Sequence, residues 1–426
     1  MLLNISMIKN KLLNYLLLLI FTFICIAIGN EYPSIIEVPK KSIKFLLKKV
    51  GITDTFVVQR KDLENINKEK KAGLSDQKIT IEGNSFNLVY SKVLNFNGRT
   101  AGLFVDNSSN KKLEFDVYLQ DGINIKKNFT KELNLPIDIF LEKNGGVKSI
   151  IKINSNNYAL ISNKNNLNCY FSSVVNLNNA KKIFSTKCLP DIERIDFNGI
   201  GGAYIEKDNS IFLSIGAPEW DSEEIRMLAQ NMSSKYGKII KFDKKAFGND
   251  QILKEDYKIF SRGHKNPQGL VLSENQIFSV EHGPQGGDEI NLIEQDKNYG
   301  WPIVSYGTRY NDGKSYRKSF ENMANPIFSF LPSIAPSTIN NCPENLSEYY
   351  SNHSCLLVLS LRAMSIFVIL VNKEKLNVIS VEKFKLNQRL RHFALDKNNK
   401  MFQRDNSFFI SADGFGILKI KFDNFR

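Results

Sequence analysis

Two short segments of this chain carry the residue types and spacing from which chemistry is built. The first is Gly263-His264-Lys265-Asn266-Pro267-Gln268-Gly269, set before an apolar run at Leu270–Leu272. Pro267 biases Asn266 toward extended backbone and Gly269 relieves crowding at the strand entry, so Lys265 and Asn266 are expected to project from a stiff loop. An ordinary turn is the alternative reading. The second is Glu281-His282-Gly283-Pro284-Gln285-Gly286-Gly287-Asp288-Glu289, directly after a strand ending at Val280. A Gly/Pro loop of this kind exposes main-chain carbonyls, which suit a hard cation such as Ca²⁺. It lacks the Gly-Lys-Ser/Thr ending and the following helix of a phosphate cradle. Asp288 and Glu289 are expected to cap turns or pair with lysines. A third segment, Asn298-Tyr299-Gly300-Trp301-Pro302, offers an aromatic pair suited to packing between sheets.

These loops must be positioned by strands. From Lys78 onward, short runs rich in β-branched and aromatic residues alternate with Asn, Asp, Gly and Lys turns every eight to twelve residues, as in Phe86–Val93, Ile211–Ile215, Leu356–Leu361 and Ile417–Phe422. Only Ile43–Val50 and Ser222–Met232 read as helices. Somewhat over twenty strands exceed one β-sandwich, and two sandwiches would need a central linker that is not visible. Five or six four-stranded blades absorb them, so the expected fold is an all-β propeller.

The chain has 426 residues, 42% hydrophobic and 24% charged, which excludes wholesale disorder, collagen-like fibres and multi-spanning membrane proteins. Its net charge of +13 is spread along the sequence with no basic block, which argues against nucleic-acid binding. Lys9 and Lys11 precede an apolar run, Leu12–Ile28, that ends in Ala27-Ile28-Gly29, the pattern of a secretory signal peptide cleaved after Gly29. An uncleaved membrane anchor is the alternative, and Cys25 lacks a lipidation context. The expected divisions are a signal peptide at 1–29, an arm and linker at 30–77 and a propeller at 78–426. The location is then periplasmic or secreted, with membrane association only if the leader is retained. Four of the five cysteines lie beyond the leader. An even number in an exported chain suggests disulfides, and proximity favours Cys169–Cys188 and Cys342–Cys355 among the three connectivities. No spacing suits zinc.

Taken together and in order, the three segments resemble the glucose/sorbosone dehydrogenase family, whose pattern reads approximately G-H-R-N-P-Q-G, then E-H/Q-G-P-x-x-x-D-E-x-N, then N-Y-G-W-P. Weaker agreement runs from about Asp196 to Phe422, including Ser333–Ser337 and Gln388–Arg391, while 30 to about 190 shows none. The resemblance implies a six-bladed propeller holding pyrroloquinoline quinone (PQQ), a tricarboxylate, against Ca²⁺ on its axis. It assigns Lys265, Asn266, His282, Arg362, Arg389 and Arg391 to the cofactor and the carbonyls of Gly283 and Pro284 to calcium. Several cations facing a trianion suit charge-assisted hydrogen bonds, although Lys265 replaces an Arg and lacks its bidentate fork.

One departure bears on catalysis. The family's general base is a His two residues before a Gly or Gly-Gly pair, and here that position is Gly199, in Asp196-Phe197-Asn198-Gly199-Ile200-Gly201-Gly202. Asp196 and His282 are the candidate substitutes. Two function classes follow. One is an exported PQQ- and Ca²⁺-dependent oxidoreductase taking a small sugar or alcohol and an external electron acceptor. The other is a non-catalytic propeller that binds a ligand or partner.

Overall fold

The computed structural model describes residues 78–425 except for the short stretches 82–83, 110–111, 127–128, 190–194, 219–221 and 311. The leader and the helix expected at Ile43–Val50 lie outside the described residues. All described residues belong to one unit, Asp62–Arg426.

Among the described residues, twenty-six strands form six sheets, as the propeller expectation required. Blade I holds β3 (Thr100–Ser109), β4 (Lys112–Leu119), β5 (Ile123–Lys126) and β6 (Phe129–Glu132). Blade II holds β7 (Val147–Ile153), β8 (Asn156–Lys164), β9 (Tyr170–Asn176) and β10 (Lys181–Ser185). Blade III runs from β11 (Gly201–Lys207) and β12 (Ser210–Ile215) to β13 (Lys238–Asp243) and β14 (Tyr257–Arg262). Blade IV runs from β15 (Pro267–Ser273) and β16 (Gln276–Glu281) to β17 (Asp288–Ile293) and β18 (Phe328–Phe330). Blade V holds β19 (Pro336–Asn341), β20 (His353–Ser360), β21 (Ser365–Asn372) and β22 (Val378–Lys385). Blade VI joins both ends of the propeller. Its β23 (Leu390–Phe393), β25 (Ser407–Ala412) and β26 (Gly416–Phe425) pair outward onto β2 (Asn84–Leu94) and β1 (Lys78–Ile81), while β24 (Gln403–Arg404) extends the inner edge beside β25. The ring is thus closed by hydrogen bonds between the first and last strands, which leaves no open seam in the circle of blades.

Local chemistry explains the hairpins. Asp208-Asn209, Glu274-Asn275 and Asp405-Asn406 each place two successive residues at positive φ between paired strands. That is the two-residue turn whose twist matches a hairpin, and Asn and Asp tolerate it better than most side chains. Between blades the packing is apolar. One cluster joins Phe104 and Tyr118 of blade I to Ile150 and Ile161 of blade II, and another joins Phe212 and Ile239 of blade III to Leu270 and Ile277 of blade IV. Similar clusters fill the remaining four interfaces. Of the aromatic pair in the third segment, Tyr299 packs between blades III and IV as expected, whereas Trp301 packs instead with Ala217, Ala229 and Tyr316 of the loops.

The helix expected at Ser222–Met232 is shorter, α1 (Glu223–Met227), capped at its start by the Ser222 hydroxyl. It stops early because the chain turns toward β13, where the fully buried Lys238 donates its Nζ to the carbonyls of Leu228, Ala229 and Tyr236 at 2.7–2.9 Å. A second short helix, α2 (Glu344–Tyr349), follows Cys342. Both favoured disulfides are present, Cys169–Cys188 and Cys342–Cys355. Among the described residues no helix is long and apolar enough to cross a membrane.

Candidate functional site

The inner strands of all six blades line an axial cavity of about 1150 Å³. At one mouth it is walled by Arg99, Lys148, Asn198, Asn266, His282, Tyr310, Arg389 and Arg391.

Asn266 and Lys265 do not project from their loop; both are buried, at 3% and 4% exposure. The reason lies in the hydrogen bonds that pull the loop inward. Glu281, itself buried, accepts from the Lys265 backbone N–H at 3.0 Å and from Asn291 at 2.8 Å, and pairs with His264 Nδ1 at 3.1 Å. The His264 ring stacks on Tyr299. Asn266 Oδ1 accepts from the Gly201 N–H at 3.1 Å and from Gln268 Nε2 at 2.6 Å, tying blade III to blade IV. Gly201 has φ of +72°, and a Cβ there would stand 2.6 Å from the Pro267 carbonyl, so only glycine allows this approach. The Lys265 ammonium lies 5.6 Å from the Trp301 ring and 5.9 Å from that of Tyr310. Burial drives its pKa down to about 8, against the pull of Asp288, Glu281 and Asp196.

Asp288 caps turns, one of its expected roles. One carboxylate oxygen accepts from Gly283 N–H at 3.0 Å and the other from Ser333 Oγ, Ile334 N and Ala335 N at 2.5–2.8 Å. Glu289 pairs with Asn291 rather than a lysine, and burial beside Glu281 raises its pKa well above the usual carboxylate range. The Glu281–Asp288 loop thereby holds Gly283 and Pro284 in buried positions, and among the described residues neither carbonyl accepts a hydrogen bond. Carbonyls left without a protein partner are open to water or to a cation. His282 Nε2 lies 2.7 Å from the Pro336 carbonyl, which fixes the proton on Nε2, and burial lowers the ring's pKa.

The C-terminal basic pair is not free of anions. Arg391, 8% exposed, makes a two-pronged bond to Asp413, Nε–Oδ1 and Nη2–Oδ2 both at 2.5 Å. The half-exposed Arg389 reaches the same carboxylate at 3.6 Å. Arg362 is exposed and does not line the cavity, because the Ile334 carbonyl takes its backbone N–H and holds its chain at the rim. The expected six-residue cradle is therefore split: Asn266, His282, Arg389 and Arg391 wall the cavity, Lys265 stands behind the wall, and Arg362 stands outside it.

Gly199 is buried in a 3₁₀ turn, Phe197–Ile200, and only its neighbour Asn198 reaches the cavity wall. Asp196 caps that turn by accepting from Asn198 N–H, and it also accepts from Asn144 Nδ2 at 3.1 and 3.2 Å. These bonds tie its carboxylate to the turn and give it a structural role. Sequence reasoning missed Arg99, Asn144, Lys148 and Asp413. The first three precede the region of resemblance. The signal that flags them is Gly145-Gly146 at the entry of β7, the counterpart of Gly201-Gly202 at the entry of β11.

The glucose/sorbosone dehydrogenase family model matches residues 162–407, from β8 to β25. An aldose sugar dehydrogenase of Escherichia coli is 29% identical over 189 residues, covering 42% of this chain and 49% of the relative. The chain thus spans about half the length of that curated relative. Among solved structures, the apo-form soluble aldose sugar dehydrogenase of Escherichia coli superposes with a TM-score of 0.63 at 18% identity, over 79% of this chain and 99% of that one. The PQQ-bound aldose sugar dehydrogenase of Streptomyces coelicolor gives 0.56 at 17% identity, over 79% and 98%.

Proposed function

The chain belongs to the glucose/sorbosone dehydrogenase family, and on that premise we propose that it is an exported sugar dehydrogenase using PQQ and Ca²⁺. The observation that carries this reading is the pair of Gly283 and Pro284 carbonyls, which accept no hydrogen bond among the described residues and directly follow His282 at the wall of a cation-lined axial cavity. Carbonyl oxygens are the ligands a hard divalent cation prefers. The cations fit a tricarboxylate. Burial first, then Arg391 and Arg99, push the Lys148 ammonium toward deprotonation against Asp196, so the mouth gains by admitting an anion.

Arg389, Arg391 and Asn266 would hold the cofactor's polar edge, with Lys265 adding charge from behind. Gly283 and Pro284 would hold calcium. When bound, the quinone supplies a two-electron acceptor and the cation polarises its carbonyl. His282 donates to Pro336 and presents Nδ1. Ala101, Leu270 and Ile339 of the inner strands add an apolar part to the cavity wall. A cavity of about 1150 Å³ has room for a small sugar or alcohol. An external acceptor must then re-oxidise the cofactor.

A second reading, a binding propeller without catalysis, is favoured by one feature, the absent side chain at Gly199. Titration of the purified protein with PQQ, with and without Ca²⁺, followed by addition of an aldose, separates them. Calcium-dependent PQQ binding and reduction of the quinone spectrum by sugar support the dehydrogenase. Binding without reduction supports the second reading, and no PQQ binding sinks the first.

A further inference from the structure

Blade II puts a lysine at the mouth of the axial cavity that none of the cofactor assignments uses. Lys148, the second residue of β7, lines the mouth with Arg99, Asn198 and Arg391. Its Nζ donates to the Asn144 carbonyl at 2.7 Å. The Asn144 side chain accepts from Arg99 at 3.1 Å and donates to both oxygens of Asp196. Asp196 in turn caps the 3₁₀ turn that carries Gly199. One hydrogen-bonded chain therefore connects Lys148 to the turn from which the family's base is missing. Among the described residues no carboxylate lies within ion-pair distance of Nζ.

We propose that the Nζ of Lys148 is the general base of this protein, standing in for the histidine that the family carries at the position of Gly199. The proposal rests on the sugar-dehydrogenase reading. The neutral amine takes the proton of the anomeric hydroxyl. The C1–H bond breaks with its electron pair, which leaves as hydride to the quinone cofactor, and the C1–O bond becomes a carbonyl. The sugar loses two electrons and yields a lactone, the quinone gains them, and the Lys148 ammonium returns its proton to solvent, from which the quinol draws its own.

The charged groups around Lys148 favour this role. Arg391 from β23 and Arg99 from the approach to β3 disfavour the ammonium, as does burial, the largest cause, while Asp196 opposes them. The net result is a pKa of about 7 instead of the ordinary lysine value. A base of that pKa is half deprotonated at neutral pH, where general-base catalysis is most effective. One N–H of the neutral amine serves Asn144, leaving the lone pair for substrate. A bound trianion raises the pKa, so the acid limb of the loaded enzyme falls at or above about 7.

The test uses the full chain loaded with PQQ and Ca²⁺, as wild type, Lys148→Met and Lys148→Arg. Turnover of an aldose is expected to fall about 10²–10⁴-fold in both variants, with the acid limb of kcat/KM abolished and PQQ affinity of the Arg variant within a few-fold of wild type. Small primary amines should restore turnover to Lys148→Ala. Independently of activity, acylation of Lys148 in the apo protein, followed by peptide mass across pH, should reach half its maximum near neutrality. An Arg variant that keeps turnover and the limb shows that charge alone matters and overturns the proposal. So does an acylation profile with the midpoint of an ordinary lysine, about 10.4. Wild-type protein that binds PQQ but is reduced by no aldose overturns the underlying reading and the proposal together. Active wild type indifferent to Lys148 overturns the proposal alone.

Discussion

Replacing Arg391 with alanine removes the partner that holds Asp413 on two prongs at 2.5 Å each. The Asp413 side chain is 8% exposed, so the carboxylate left behind cannot rehydrate fully. Breaking a buried ion pair from one side costs about 3–5 kcal/mol. Arg389 remains at 3.6 Å, but its side chain is 50% exposed and its pairing returns less than about 1 kcal/mol. The expected loss is therefore about 3 kcal/mol, which at about 2 °C per kcal/mol for a chain of this size lowers Tm by about 6 °C. The double variant Arg391→Ala, Asp413→Ala removes both charges and should recover most of that loss, giving a coupling of about 2 kcal/mol. Thermal and urea unfolding of wild type, both singles and the double close the cycle. A double variant as unstable as Arg391→Ala would refute the reasoning, because the penalty would then come from lost packing and not from a stranded charge.

Asp413→Asn leaves two guanidiniums facing the cavity with one fewer negative charge, so PQQ affinity should rise about tenfold at low salt and less in high salt, by fluorescence titration. PQQ affinity should fall as pH rises through about 8, since Lys265 then loses the charge that favours the trianion; a flat profile would remove Lys265 from the cradle. At Gly283 a Cβ would stand 2.2 Å from the Gly287 carbonyl, so Gly283→Ala should displace the loop and weaken calcium-dependent PQQ binding at least about tenfold, as read by titrating Ca²⁺. Replacing Cys342 and Cys355 by serine opens a loop with a separation of 13 residues and should cost about 3 kcal/mol in urea unfolding.

Much of the fold was legible along the chain because strand and turn chemistry is local. Alternating β-branched runs and Asn- or Asp-based turns announced the hairpins, and the two cysteine pairs sat close enough in sequence to be matched. The burial of Lys265 and Asn266 was not legible. It depends on Glu281 and Gly201, which lie 16 and 65 residues away and meet the loop only when strands pair and neighbouring blades close up. The pairing of Arg391 with Asp413 across blade VI, the exposure of Arg362 and the chain from Lys148 through Asn144 to Asp196 were equally invisible. Charge and hydrogen bonding act through space over a few ångströms, and the closed ring of blades decides which distant residues come that near.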